Sequence, residues 1–238
     1  MKGIALSSAI AAACIGLASP SHAATIVLDF EGVNATYPSG FAFVEDFYNG
    51  GTSSDGTSGT DFGIEFSGNA QAICLNTVGT SCSNTSRGDQ GNPDSQRGGL
   101  FFLSGAETFM NVLDGFTTGF SFFYAAPNNT GSISVYDGLN GTGSLLATLN
   151  LGLTSSTCGG EYDADFCPFV ASGIGFAGLA KSVSFAGVAN QIVFDDVTFG
   201  SVTPDPDPQP APIPVPAAFP LLAGGLGMLR MLRRRKAG

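Results

Sequence analysis

The chain has 238 residues, one domain or little more, with 19 acidic and nine basic side chains, a net charge of −10 at pH 7 and no tryptophan. Between Ala24 and Thr203 only Arg87, Arg97 and Lys181 are basic against 17 carboxylates, a balance of −14, so no basic patch exists to neutralise phosphates and nucleic acid is excluded as a partner. The single histidine, His22, belongs to the leader described next, so the body has no imidazole, which excludes Ser-His-Asp and Cys-His catalysis and histidine-based zinc sites.

Residues 1–23 read as a secretory signal peptide. Lys2 is the charged start, Ile4 to Leu17 is the apolar stretch, and Ser21-His22-Ala23 places small residues at the cleavage point. The apolar stretch is shorter than the roughly 20 residues a membrane-spanning helix needs. Export therefore involves the Sec machinery and signal peptidase.

From 24 to 200 the pattern is all-β. "TIVLDFE", "FGIEFSG", "GFSFFYA", "GSISVYD", "KSVSFAG" and "QIVFDDVTF" alternate apolar and polar residues and are separated by Gly, Asn, Asp and Ser. No stretch of this region carries a sustained helical repeat with caps. Twenty phenylalanines supply the core material, and many short strands close as a barrel or an antiparallel β-sandwich. The clearest hairpin is "GSISVYDGLNGTGSLLATLNL". Ile133 and Val135 face one way, Asp137-Gly138 and Asn140-Gly141 turn the chain, and Leu145, Ala147 and Leu149 form the returning apolar face. Segments 49–61 and 79–99 are polar and Gly-rich, as exposed loops are.

Four cysteines remain once Cys14 leaves with the leader: Cys74, Cys82, Cys158 and Cys167. They allow three pairings, and the spacing favours two local disulfides, Cys74–Cys82 and Cys158–Cys167. Such bonds persist outside the cytoplasm, each contributing about 2–3 kcal/mol. A four-cysteine zinc site is the alternative, although the usual paired spacing is missing.

Residues 201–212 form a Pro-rich linker. Alternating prolines remove backbone donors and hold an extended spacer, about 30 Å for ten such residues. The segment 213–238 then carries three features in order. Ile213-Pro214-Val215-Pro216-Ala217 is a Pro-rich motif, a short apolar helix follows, and Arg230, Arg233, Arg234, Arg235 and Lys236 form a basic cluster. The apolar stretch is barely long enough to span a bilayer, with the cluster held on the cytoplasmic side.

This ending is similar to the C-terminal sorting signals of the PEP-CTERM class, in particular its Val-Pro-Leu-Pro-Ala variant. The resemblance covers only the last 26 residues. It implies a transient inner-membrane anchor recognised by an exosortase-type membrane peptidase, in a Gram-negative bacterium that makes extracellular polysaccharide. The chain departs from the variant in carrying Ile213 and Val215, and it has no Glu between the prolines. The final pattern "NQIVFDDVTFGS" also resembles jelly-roll carbohydrate-binding modules, which implies a jelly-roll sandwich for the outer domain.

In jelly rolls of that type the first and last strands often lie side by side. Asp29 or Glu31 would then approach Asp195 or Asp196, and paired carboxylates suit a structural Ca²⁺ ion. Strict alternation would also turn one of the two adjacent aspartates inward, where it ligates a cation or a bulge turns it out. Glu45, Glu65, Glu107, Glu161, Asp163 and Asp165 are the candidate carboxylates for a glycosidase pair, but nothing in the sequence pairs them, and Tyr124 and Tyr136 are the strand tyrosines available for stacking on a sugar. The expectation is a non-enzymatic exported protein of the cell surface or extracellular matrix, associated with extracellular polysaccharide. The alternatives are a secreted carboxylate-dependent polysaccharide hydrolase and a permanently membrane-anchored binding module.

Overall fold

The computed structural model describes residues 25–35, 40–73, 98–154 and 169–204. The leader, every cysteine, the linker beyond Pro204, the sorting motif, the apolar helix and the basic cluster lie outside the described residues. Among the described residues there are twelve strands and no α-helix. They are β1 (Ile26–Leu28), β2 (Phe41–Phe43), β3 (Ile64–Phe66), β4 (Ala70–Ile73), β5 (Leu100–Phe102) and β6 (Glu107–Phe116). β7 (Gly119–Ala125), β8 (Gly131–Tyr136), β9 (Leu145–Leu151), β10 (Val170–Gly175), β11 (Ala180–Ala186) and β12 (Val193–Phe199) follow.

The strands form two antiparallel sheets. One has seven strands in the order β10-β7-β12-β5-β4-β2, with β1 also paired to β12; the other has five, in the order β3-β6-β11-β8-β9. The expected hairpin is present as β8 and β9, with Ile133 opposite Leu149 and Val135 opposite Ala147. A register shift between Val135 and Tyr136 lets Leu145 leave the apolar face, and it is exposed rather than buried.

The two sheets enclose a core rich in phenylalanine. Phe185 of the five-stranded sheet meets Phe194 and Phe120 of the other edge to face, with ring centroids 4.9 and 5.8 Å apart. Phe116 packs on Phe199 at 5.1 Å in the same geometry. Each such pair adds about 0.5–1.5 kcal/mol beyond the area it buries. The seven-stranded sheet is also covered on its other face, where Ile73, Phe101, Ala125, Phe169 and Val193 form a second apolar cluster. Strands buried on both faces lose the alternation that marks a half-exposed strand, and β4, β5 and β12 are buried at every position.

The free edges differ from one flank to the other. At the β2–β3 flank, Phe43 exchanges two hydrogen bonds with Ser54, and the N–H groups of Ile64 and Phe66 donate to the carbonyls of Tyr48 and Glu45. The excursion between β2 and β3, predicted as an exposed loop over 49–61, thus folds back along its own strands; the ring of Phe47 occupies the space where a Cβ on Gly59 would stand, 2.3 Å away.

Candidate functional site

The acidic residues gather where β12 changes partner. On one side β12 runs beside β7 throughout. On the other it pairs first with β5, Phe194 opposite Leu100, and then with β1, Leu28 opposite Val197 and Ile26 opposite Phe199. The first and last strands are therefore neighbours. Asp29 leaves the end of β1 just where Asp195 and Asp196 fill the switch in β12.

A β-bulge forms the switch. Asp195 faces Phe123 and Thr198 faces Ser121, so three steps on β12 match two on β7. Asp196 is the extra residue, at φ 44°, in the left-handed region that Asp tolerates better than most side chains. The effect on the core is direct. Ile192 and Phe194 point inward before the bulge, and Val197 and Phe199 point inward after it. Unbroken alternation would turn the last two outward.

Both aspartates are fully buried. A buried carboxylate costs several kcal/mol unless it is matched, and the Asp195 Oδ1 accepts the Asp196 N–H at 2.8 Å. At the end of β1, Asp29 Oδ1 accepts the Glu31 N–H at 3.1 Å, and Glu31 Oε1 accepts the Gly98 N–H at 2.6 Å. Gly98 has no room for a side chain, because a Cβ would lie 2.5 Å from the Phe30 carbonyl carbon and oxygen. Phe30, at φ 56°, is held by the Tyr48 hydroxyl, which accepts its N–H at 3.0 Å, and by edge-on contacts with Tyr48 and Phe66. Asp29, Glu31 and Asp195 thus each spend an oxygen on a backbone amide. A Ca²⁺ ion needs six to eight oxygens; among the described residues no three His, Cys, Asp or Glu side chains come together to hold a metal.

The remaining candidates are dispersed. Glu65 accepts from Asn49 Nδ2 at 3.0 Å, and Glu107 accepts from the Ser184 hydroxyl at 2.6 Å. Glu161, Asp163 and Asp165 lie outside the described residues. Tyr124 is a core residue whose hydroxyl donates to the Gly152 carbonyl at 3.3 Å, and burial raises its pKa. Tyr136 is half-buried on the outer face of the five-stranded sheet, in one row with Ser182, and Ser134, Ser184 and Thr148 form the next row. The turn at Asn140 folds back onto this face: Asn111 donates to the Asn140 side-chain oxygen at 2.8 Å and accepts its N–H at 2.7 Å. Ser182, Ser184 and Asn111 are themselves buried, so the accessible polar part of this face is Ser134, Thr148 and Tyr136, with Glu65 and Glu107 on the strands beyond.

No protein-family model matches the chain, and no curated protein matches it in sequence. Among solved structures it is similar to a carbohydrate-binding module. That protein is CBM6cm-2 from Cellvibrio mixtus lichenase 5A, solved with cellotriose; the match has 10% identity and a TM-score of 0.34, and covers 58% of this chain and 90% of that one.

Tyr48 and Gly98 were not signalled by the sequence. They reach the junction from 18 and 67 positions away in the chain, and neither sits in a motif.

Proposed function

We propose that the chain is an exported, non-enzymatic protein of the cell surface or extracellular matrix, sorted by an exosortase-type peptidase through its C-terminal signal and associated with polysaccharide. The observation that carries the reading is the pairing of Ile26 with Phe199. The strand that follows the leader and the strand that precedes the linker run antiparallel side by side, so both attachment points lie at one end of the sandwich. Once the leader is cleaved, a tail held at the membrane tethers the domain by that end and leaves its opposite end outward. The polysaccharide contact is assigned to the outer face of the five-stranded sheet, where Ser134, Thr148 and Tyr136 offer hydroxyls and a ring edge to a sugar chain.

The experiment follows the size of the exported chain, with an epitope inside 50–60, in cells with and without the exosortase. Loss of the tail only when the peptidase is present is the expected result; persistence of the full-length tail in its presence removes the sorting reading. The polysaccharide contact is read separately by electrophoresis of the protein through gels containing the producer's polysaccharide. Tyr136→Ala should abolish the retardation seen for the parent chain. Release of reducing sugar that ends with a Glu→Gln change would replace the reading with a hydrolase.

A further inference from the structure

Beyond β12 the chain does not run straight on. Gly200, at φ 80°, turns it, and its N–H donates to the Gly119 carbonyl at 3.0 Å. Residues 200–202 then cross the outer face of the seven-stranded sheet, from β12 over β7 to β10. Three glycines lie under this crossing. A Cβ on Gly119 would stand 2.7 Å from Val202 Cγ1, one on Gly175 would stand 3.5 Å from the same atom, and one on Gly173 would overlap the Val202 carbonyl oxygen. Gly175 is opposite Gly119 and Gly173 is opposite Ser121, so all four share the face turned away from the core rings of Phe120 and Phe122. The Ser201 hydroxyl, which donates to the Thr203 carbonyl at 2.7 Å and accepts the Thr203 N–H at 3.1 Å, fixes the end of the crossing, and Pro204 is buried.

None of Gly119, Gly173 and Gly175 has a positive φ. Glycine therefore supplies room at these positions, not conformational freedom. A glycine inside a strand weakens it and marks a place where another backbone comes close; here that backbone is the root of the linker. The same patch pins a strained turn between β6 and β7. The Gly119 N–H donates to the Thr117 carbonyl at 3.0 Å across Thr118, which sits at φ 83°. This is the rare, strained form of γ-turn, and a β-branched residue suits it badly. Such a conformation persists only where its surroundings over-determine it. Phe176, just past β10, donates its N–H to the Thr118 carbonyl at 3.4 Å, and Gly200 engages the Gly119 carbonyl. One of the two neighbours that hold this corner is thus the start of the linker.

We propose that residues 200–204 are a clasp that fastens the linker to the sandwich and takes tension from the tail before β12 does. Without it, a pull on the tail acts directly on the end of β12. That strand pairs with β1, β5 and β7 and carries the buried Asp195 and Asp196, so moving it disrupts the first strand and the acidic junction together. With the clasp closed, the pull is met first by the contact spread over β7 and β10. Opening it frees five residues, at most about 17 Å of chain, and leaves every strand paired. The clasp rests on the geometry alone. Its use against a pulled tail rests on the tethering reading, and the experiment separates the two.

The test uses the full chain, purified in mild detergent. Amide hydrogen exchange reads the clasp. Gly173→Ala places a methyl group where the Val202 carbonyl lies and should speed exchange of the Gly200 N–H about tenfold or more, with Val183 in β11 unchanged as the sign of an intact fold. Val202→Gly alters an exposed side chain, so folding is not at stake, and it should speed the same amide. Unchanged Gly200 exchange in Val202→Gly, or in a folded Gly173→Ala chain, overturns the clasp. Optical tweezers read its use, with one handle inside 50–60 and the other at the C-terminus. The parent should lengthen by a short step of at most about 17 Å before the body ruptures. In Gly173→Ala that step should be absent, and in Val202→Gly it should come at lower force. A parent without the step, or a step at the parent's force in both variants, overturns the mechanical role. Neither result touches the sorting reading, which exosortase-dependent loss of the tail decides.

Discussion

Phe30 adopts φ 56°, a conformation that a bulky side chain rarely adopts and that must be held by its surroundings. The hold is local: the Tyr48 hydroxyl takes its N–H, and its ring sits edge-on to Tyr48 and Phe66. Tyr48→Phe keeps the ring but removes the acceptor for a buried amide, which costs about 1–3 kcal/mol. The urea midpoint should fall accordingly; an unchanged midpoint would show that the hydroxyl does not hold this turn. Tyr124 makes the matching point for pH. Burial raises its pKa above the usual 10.0, so the fold favours the neutral phenol. Its contribution is complete below the unfolded value and is lost as pH rises through the folded one. Thermal stability should therefore decline above about pH 10, and Tyr124→Phe should move that decline to higher pH. Equal alkaline limbs for the two proteins would contradict the assignment.

Most of the strands legible in the sequence have one dry face and one wet or polar one. "TIVLDFE", "FGIEFSG", "GFSFFYA", "GSISVYD" and "KSVSFAG" become β1, β3, β7, β8 and β11, and the turn dipeptides after Tyr136 announce β9. β4 and β5 give no such signal because both of their faces are covered, so "AQAI" and "LFF" show composition without alternation. β6, ten residues long, is disguised by the run Met110-Asn111-Val112, buried on both sides where the Asn140 turn folds over it, and by Gly115 at φ 77°. In β12 the double Asp signals a bulge. Asp196 is the extra residue there, and this yields a sharp contrast between two deletions. Removing Asp196 leaves Ile192, Phe194, Val197 and Phe199 in strict alternation toward the core. Removing Thr198 keeps the bulge but turns Phe199 outward. The Thr198 deletion should be the more destabilising by about 3 kcal/mol, the scale of losing a buried aromatic ring. Equal losses in chemical denaturation would mean that the bulge does not set the facing of the strand.

At the scale of the whole molecule, the site residues were legible only through topology. Neither Asp29 nor Asp195 carries a motif, and their approach follows from placing the first strand beside the last. The partners that use their neighbours' oxygens and amides, Tyr48 and Gly98, arrive from loops that spacing does not connect to them. The same adjacency makes a prediction about the body as a unit. Ile26 and Phe199 are directly opposed, so their Cα atoms lie about 4.5–5.5 Å apart. A linker of a few residues should join the two ends as a hairpin, and new ends opened between Thr60 and Asp61, in the exposed part of the β2–β3 excursion, break no strand. The permuted body should give the same circular-dichroism spectrum and unfold cooperatively. Moving the opening to between Val183 and Ser184 cuts β11 between its two partner strands and should prevent folding. If both permutants fold equally well, the continuity of β11 is not what joins β6 to β8. If neither folds, the ends are not held side by side, and tethering from a single end of the sandwich loses its structural basis.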